Sequence, residues 1–538
     1  MFALRFRLAL AALASLSVLF ACAQEPRMMP SAGVFGSYRL GASPAGIASV
    51  GHEILQFDTE QYDFVREEGF LSPRRHPLST FSIDVDTASY SNVRRFLRAG
   101  SLPPNGAVRI EEMLNYFSYT YPTDRGEHPF SVITEVTSAP WQPKHQLVMI
   151  GLQGEKIPAG ELPPRNLVFL LDVSGSMQPA NKLPLIKRAL RGLVTRLRRE
   201  DRVALVVYAG ASGLVLPPTS GAEQGVILAA LEQLEAGGST NAGEGIALAY
   251  ELARQHFDPE AINRVILATD GDFNVGVTSR SELVEMIERE RESGVFLTVL
   301  GVGTGNLKDA TMEQLADHGN GNYAYLDDFA EARKVLVEEA GGTLVTIAKD
   351  VKLQVEFNPE RVAGYRLIGY ENRRLADEDF NDDKKDAGEI GADHSVTAFY
   401  EIVPVGVEVS TGDLDPLRYH TPLQSNAAAL SGELLTIKLR YKMPDEDTSR
   451  LITHVVEEPA HSLAGASEDL RFGAAVALFG MLLRDSPYRN NADYELVREL
   501  ARGALGRDES GYRAEFVRLV ALARELDAVE PGGSRSPR

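Results

Sequence analysis

Between residues 166 and 340 the sequence alternates continuous apolar runs with amphipathic stretches, and this constrains the fold more than any other feature. Asn166 to Leu171, Val203 to Tyr208, Arg264 to Thr269 and Val295 to Leu300 are runs of strand-forming residues with no polar face. Strands that are apolar on both sides must be covered on both sides, as in a parallel sheet between two helical layers. The intervening segments supply that cover. Residues 185–197 place Ile186, Leu190, Leu193, Val194 and Leu197 on one helical face. Further helices are predicted near 222–235, 243–255, 280–293, 312–317 and 328–340. Leu214 to Leu216 reads as an edge strand and Tyr323 to Leu326 as a last strand. The fold class expected is α/β, with a doubly wound, Rossmann-like parallel-sheet domain over 164–345.

The flanks read differently. Residues 52–160 form a mixed, β-rich region, with alternating strands at Phe81 to Asp86, Ser131 to Val136 and Leu147 to Leu152 and a short helix at Val108 to Phe117. Residues 346–462 read as a second β-rich domain, with strands at Val351 to Val355, Val396 to Val403 and Leu434 to Tyr441. Residues 463–528 read as helical. Within them Leu470 to Leu483 is long enough for a buried helix but too short to span a bilayer. Glu530 to Arg538 has the composition of a disordered tail.

The 538-residue chain carries a formal charge of −20 and a single cysteine, Cys22. Phosphate binding runs on lysine and arginine, so an acidic chain is poorly suited to nucleic acid. One cysteine excludes an intramolecular disulfide. Its setting gives it another use. Arg5 and Arg7 precede an apolar run from Leu8 to Ala21, and Leu19-Phe20-Ala21-Cys22 resembles the lipobox of bacterial lipoproteins. The resemblance implies a signal peptide over 1–21, lipidation at Cys22 and a Pro-, Gly- and Ser-containing tether over 22–51. It further implies a lipid-anchored protein of the cell envelope. Ala23, where inner-membrane retention signals usually place Asp, favours the outer membrane, facing periplasm or surface.

The first apolar strand ends in Asp172-Val173-Ser174-Gly175-Ser176-Met177. In open α/β sheets ligands bind beyond the carboxyl ends of the strands, where strand order reverses. Thr240, in Gly237-Gly238-Ser239-Thr240-Asn241, and Asp270, in Thr269-Asp270-Gly271-Asp272, stand at equivalent turns. Three hydroxyls and two carboxylates suit a hard, six-coordinate cation such as Mg²⁺, with Mn²⁺ and Ca²⁺ as alternatives. Together Asp172, Ser174, Ser176, Thr240 and Asp270 resemble the metal-ion-dependent adhesion site of von Willebrand factor type A (VWA) domains. The flanks, through Phe81 to Tyr90, Tyr365 to Arg373 and Glu378 to Gly388, resemble a bacterial group that carries this domain between a characteristic N-terminal region and a C-terminal domain of unknown function. The resemblance implies protein–protein binding in which a partner's carboxylate completes the metal shell.

Other motifs read as structure. Asp84 to Ser89 is expected to be a capped strand-to-helix turn. Asp377 to Asp386 lacks EF-hand spacing and reads as a solvated loop. Gly301-Val302-Gly303-Thr304-Gly305 lacks both G-x-G-x-x-G and G-K-[ST] and reads as a turn. No H-E-x-x-H or G-x-S-x-G is present. The reading is therefore a binding protein and not an enzyme. Its alternatives are a metal-dependent hydrolase, with Asp270 or Asp272 as base, and a structural lipoprotein stabilised by its ion.

Overall fold

The structure is a computed structural model that describes residues 60–62, 66–83, 86–123, 126–158, 160–209, 212–238, 242–271, 280–339, 344–410, 426–457 and 461–529. The predicted leader, Cys22, the tether, Asp84, Thr240, Asp272 and the stretch from Glu530 lie outside the described residues. Among the described residues no helix is long and apolar enough to cross a membrane.

The chain opens with strand β1 (Leu78–Ser82), helices α1 (Ala88–Arg98) and α2 (Ile110–Asn115), and a hairpin of β2 (Phe130–Ala139) and β3 (Gln142–Gly154). A central unit follows. Its strands are β4 (Arg165–Asp172), β5 (Arg202–Tyr208), β6 (Ser212–Ser220), β7 (Ile262–Thr269), β8 (Phe296–Val302) and β9 (Tyr323–Leu326). Its helices are α3 (Leu183–Val194), α4 (Gln224–Glu232), α5 (Ala242–Gln255), α6 (Arg280–Arg291), α7 (Asp309–His318) and α8 (Phe329–Arg333). Then come β10 (Thr346–Phe357), β11 (Val362–Ile368), β12 (Gly388–Gly391), β13 (Ser395–Pro404), β14 (Glu433–Lys442) and β15 (Arg450–Glu457), and finally α9 (Glu468–Leu483), α10 (Tyr494–Arg502) and α11 (Tyr512–Val529).

The central sheet has the order β6-β5-β4-β7-β8-β9, parallel except for the antiparallel edge strand β6. This is the expected doubly wound arrangement. Strand order reverses at β4, which pairs with β5 on one side and β7 on the other. Side-chain alternation explains the unbroken apolar runs. Leu167, Phe169 and Leu171 face a core shared with α3, α4 and α8. Val168 and Leu170 face a second core shared with α5, α6 and α7.

The two flanks, read from sequence as separate regions, are one structure. β1 runs antiparallel to β10, with Phe81 opposite Leu353, in a sheet that also holds β12, β14 and β15. β3 runs antiparallel to β13, with Ile150 opposite Ala398, in the order β11-β13-β3-β2. The central unit is thus inserted between strands of a two-sheet sandwich. β3 shows why neither flank closes alone. Val148, Ile150 and Leu152 fill the core between the sheets, while Leu147 and Met149 face the helices. Those helices include α1 and α2 as well as α9, α10 and α11. Phe117 after α2 packs edge-on against Phe472 of α9 at 4.8 Å between ring centres.

The expected cap on α1 is also different. Thr87, at the N-cap, makes no side-chain cap hydrogen bond. The Glu112 carboxylate instead accepts from the Ser89 amide at 2.8 Å. The neighbouring Asp86 is buried and accepts from the Tyr323 amide at 2.7 Å and from Arg373 at 3.1 Å, bridging the central unit and the sandwich.

Candidate metal centre

β4 delivers Asp172 to the carboxyl rim of the sheet, beside the point where strand order reverses. Its Oδ1 accepts from the Ser174 amide at 2.8 Å. Its Oδ2 accepts from the Tyr208 hydroxyl at the end of β5 and from the Thr269 hydroxyl at the end of β7, each at 3.3 Å. Every one of these donors is neutral. Burial pushes the Asp172 carboxyl up to about 6, against the lowering effect of the Ser174 hydrogen bonds, and the nearby Asp270 charge adds to the rise.

Residues Gly175–Met177 turn in a short 3₁₀ helix, which brings the Ser174 and Ser176 hydroxyls within 3.0 Å of each other. Ser174 is buried, whereas Ser176 is half-buried and Gly175 exposed, so the centre opens to solvent on this side. The Gly175 amide donates to the Gly238 carbonyl at 3.1 Å, and the Gly237 amide donates to the Val173 carbonyl at 2.7 Å. The turn leading toward Thr240 is therefore tied to the serine turn, although Thr240 lies outside the described residues.

Asp270 follows β7 and is buried. The structure thus brings together four of the five predicted residues: Asp172, Ser174, Ser176 and Asp270. It adds one that the sequence reading missed. Lys182, just before α3, donates from Nζ to Asp270 Oδ2 at 2.8 Å and to Asn306 Oδ1 at 3.3 Å. Burial raises the Asp270 carboxyl, but hydrogen bonds from Lys182 and Ser176 and the Lys182 charge prevail and hold it below the ordinary range. The signal for Lys182 was present in its place ten residues after Asp172, on the turn that enters the helix. A lysine before an amphipathic helix reads as solvated from sequence alone. Gly303, read as part of a simple turn, has φ +80° and lies against the aliphatic part of Lys182.

The donor set fits a hard divalent cation. Two hydroxyls and two carboxylates converge on one rim, both carboxylates buried, and Asp172 bears a charge that its neutral donors do not balance.

Comparison with known proteins bears on the same segments. Residues 166–338 match the von Willebrand factor type A domain model, residues 56–149 a von Willebrand factor model, and residues 342–526 the model described as uncharacterized protein YfbK, C-terminal. The chain is 45% identical over 473 residues to the uncharacterized protein YfbK of Escherichia coli (strain K12), covering 86% of this chain and 81% of that protein. It is 28% identical over 263 residues to the inter-alpha-trypsin inhibitor heavy chain H3 of Homo sapiens, covering 44% of this chain but 28% of that protein. Among solved structures, a von Willebrand factor type A protein from Catenulispora acidiphila aligns over 75% of this chain and 91% of its own, at 16% identity and a TM-score of 0.40.

Proposed function

Because the chain belongs to the family of Escherichia coli YfbK, built around a von Willebrand factor type A domain, we propose that it is a binding protein with a metal-ion-dependent adhesion site. Asp172, Ser174, Ser176, Thr240 and Asp270 hold a divalent cation, Mg²⁺ or a close relative, and a protein partner supplies a carboxylate to it. The observation that carries this reading is the convergence of Asp172, Ser174 and Ser176 with Asp270 at the rim where the sheet order reverses. The cation, when bound, supplies a Lewis-acidic seat for that carboxylate.

Each residue has its part. Asp172 supplies charge from the rigid end of a central strand. Ser174 and Ser176 supply neutral oxygens, which leave the centre able to attract another anion. Tyr208 and Thr269 orient the Asp172 carboxylate. A hydrolase would need a general base beside a bound water. Asp270 is ill-suited to that task, because Lys182 engages it and keeps its carboxyl below the ordinary range.

The reading extends to a location at the cell envelope. Its support is the leader-like segment and the Leu19 to Cys22 motif, with Cys22 as the lipid attachment point.

Calorimetric Mg²⁺ titration of the intact chain and of Asp172→Ala tests the site, together with crosslinked pull-down from membranes in Mg²⁺ and in chelator. The expected result is metal binding lost in the variant and partner capture lost in chelator. Equal Mg²⁺ affinity in both proteins overturns the site. Lost metal with unchanged capture makes the ion structural.

A further inference from the structure

Lys182 is held too deliberately for an ordinary surface lysine. Its side chain is 7% exposed, and its Nζ lies 2.8 Å from a carboxylate oxygen of the fully buried Asp270. Its aliphatic stem runs past Gly303, where a Cβ would fall 2.1 Å from Lys182 Cε. The glycine therefore does two things. It permits a φ of +80°, and it leaves the slot through which the lysine reaches the centre. The backbone is fixed as well, since the Lys182 amide donates to the Pro179 carbonyl at 2.9 Å and its carbonyl accepts the Ile186 amide at 3.1 Å. Lys182 also occupies the N-cap of α3, the end of a helix where a cation opposes the helix dipole. Local helix energetics disfavour a lysine here, so its contact with Asp270 explains its position better than helix formation does.

Charge counting shows what the contact does. Asp172 and Asp270 contribute two negative charges and Lys182 one positive, while Ser174 and Ser176 are neutral. A divalent ion on this set leaves one net positive charge; without the lysine it leaves none. Resting on the metal-site reading above, we propose that Lys182 is a specificity-determining residue. Its fixed charge weakens the grip on the divalent ion and leaves the loaded centre positive, so that an anionic group, a carboxylate of the partner, binds in preference to a neutral amide or water. The ion and the incoming anion are thus coupled, with Lys182 setting how strongly, and the coupling is reciprocal: an anion that the loaded centre favours also tightens the ion.

The test uses the intact chain, Mn²⁺ as the metal and acetate as the carboxylate. Mn²⁺ affinity is measured by calorimetry in chloride and in acetate at matched ionic strength, for wild type, Lys182→Met and Lys182→Gln. In wild type, acetate tightens Mn²⁺ binding. Both neutral variants bind Mn²⁺ in chloride about tenfold more tightly, because one positive charge has been removed from beside a divalent ion in a partly desolvated site. In both, the acetate effect shrinks. Lys182→Gln keeps a donor for Asp270, so it separates the charge from the hydrogen bond and carries the test by itself if Lys182→Met does not fold. Unchanged or weaker Mn²⁺ binding in a variant with wild-type circular dichroism overturns the proposal. So does a wild type whose Mn²⁺ affinity is indifferent to acetate. If wild type binds no Mn²⁺ at all, the metal-site reading itself fails, which is a distinct result.

Discussion

Arg94 of α1 and Glu331 of α8 meet at 2.7 Å with side chains 1% and 0% exposed. The same guanidinium donates to Asp327 at 2.8 Å through Nε and to Glu515 of α11 at 3.1 Å. Tyr116, which follows α2, donates to Glu331 at 2.8 Å. A single arginine from the N-terminal flank thus joins the end of the central unit to the last helix of the chain. Burial pushes the Asp327 carboxyl up to about 6 in spite of Arg94, which shows how far these acids depend on their partner.

Arg94→Met is therefore expected to destabilise the chain by about 3–5 kcal/mol, because it leaves buried carboxylates uncompensated. Glu515→Gln, at the more exposed end of the cluster, is expected to cost about 1 kcal/mol. Urea denaturation midpoints of the two variants measure the difference. Equal losses would mean that the cluster does not act through its buried acids.

A fragment of residues 164–345 is expected to fold, since both faces of its sheet carry their own helices. It is also expected to melt well below the intact chain. Asp309 loses Arg109, which lies 2.7 Å away, and Asp327 and Glu331 lose Arg94. Thermal denaturation of the fragment beside the whole protein checks this. A fragment as stable as the parent would show that the flank contacts contribute nothing.

Stability should fall in mild acid through His394. Burial, with a contribution from the Lys334 charge, lowers its pKa to about 4, and its Nε2 is buried without a partner. The folded value lies below that of the unfolded chain, about 6.5. Between those values the unfolded state binds more protons, so stability is fully present above pH 6.5 and is lost as the pH drops toward 4, by about 2–3 kcal/mol. His394→Gln should flatten this part of the curve of urea midpoint against pH. A variant that retains the full slope would assign the effect to other groups.

Gly303→Ala is expected to cost about 1–3 kcal/mol, combining a left-handed backbone position with a clash against Lys182. Gly213→Ala on the edge strand β6, where a Cβ meets nothing within 4 Å, is the control and should stay within about 0.5 kcal/mol. Thermal melts of the two variants decide the matter.

Among the hydroxyls of the centre, Ser174→Ala and Ser176→Ala should each weaken Mg²⁺ binding by less than Asp172→Ala, since each removes a neutral donor and no charge. Folding should be little affected by Ser176→Ala, because Ser176 is half-buried on the open side of the centre. Calorimetric titration gives the order, and a serine variant that loses as much as the aspartate variant would contradict it.

The centre divides into a part the sequence determined and a part it did not. Asp172, Ser174 and Ser176 lie within five residues at the end of an apolar strand, so one strand-to-helix turn suffices to assemble them. The covered parallel sheet was legible for a similar reason: a strand apolar on both faces states its own burial. Asp270 was legible because β7 is a second such strand and ends at the same rim.

Lys182 and Arg94 were not legible, and the reason is distance along the chain. Lys182 meets Asp270 across 88 positions, and Arg94 meets Glu515 across 421. Hydrophobic periodicity reports which face of an element is buried, but not which element covers it. The alternation of Leu147 to Leu152 identified a strand without revealing that β13, beyond the inserted unit, is its neighbour. Tertiary packing made that choice: β3 has two apolar faces to cover, and covering both takes a second sheet on one side and the terminal helices on the other.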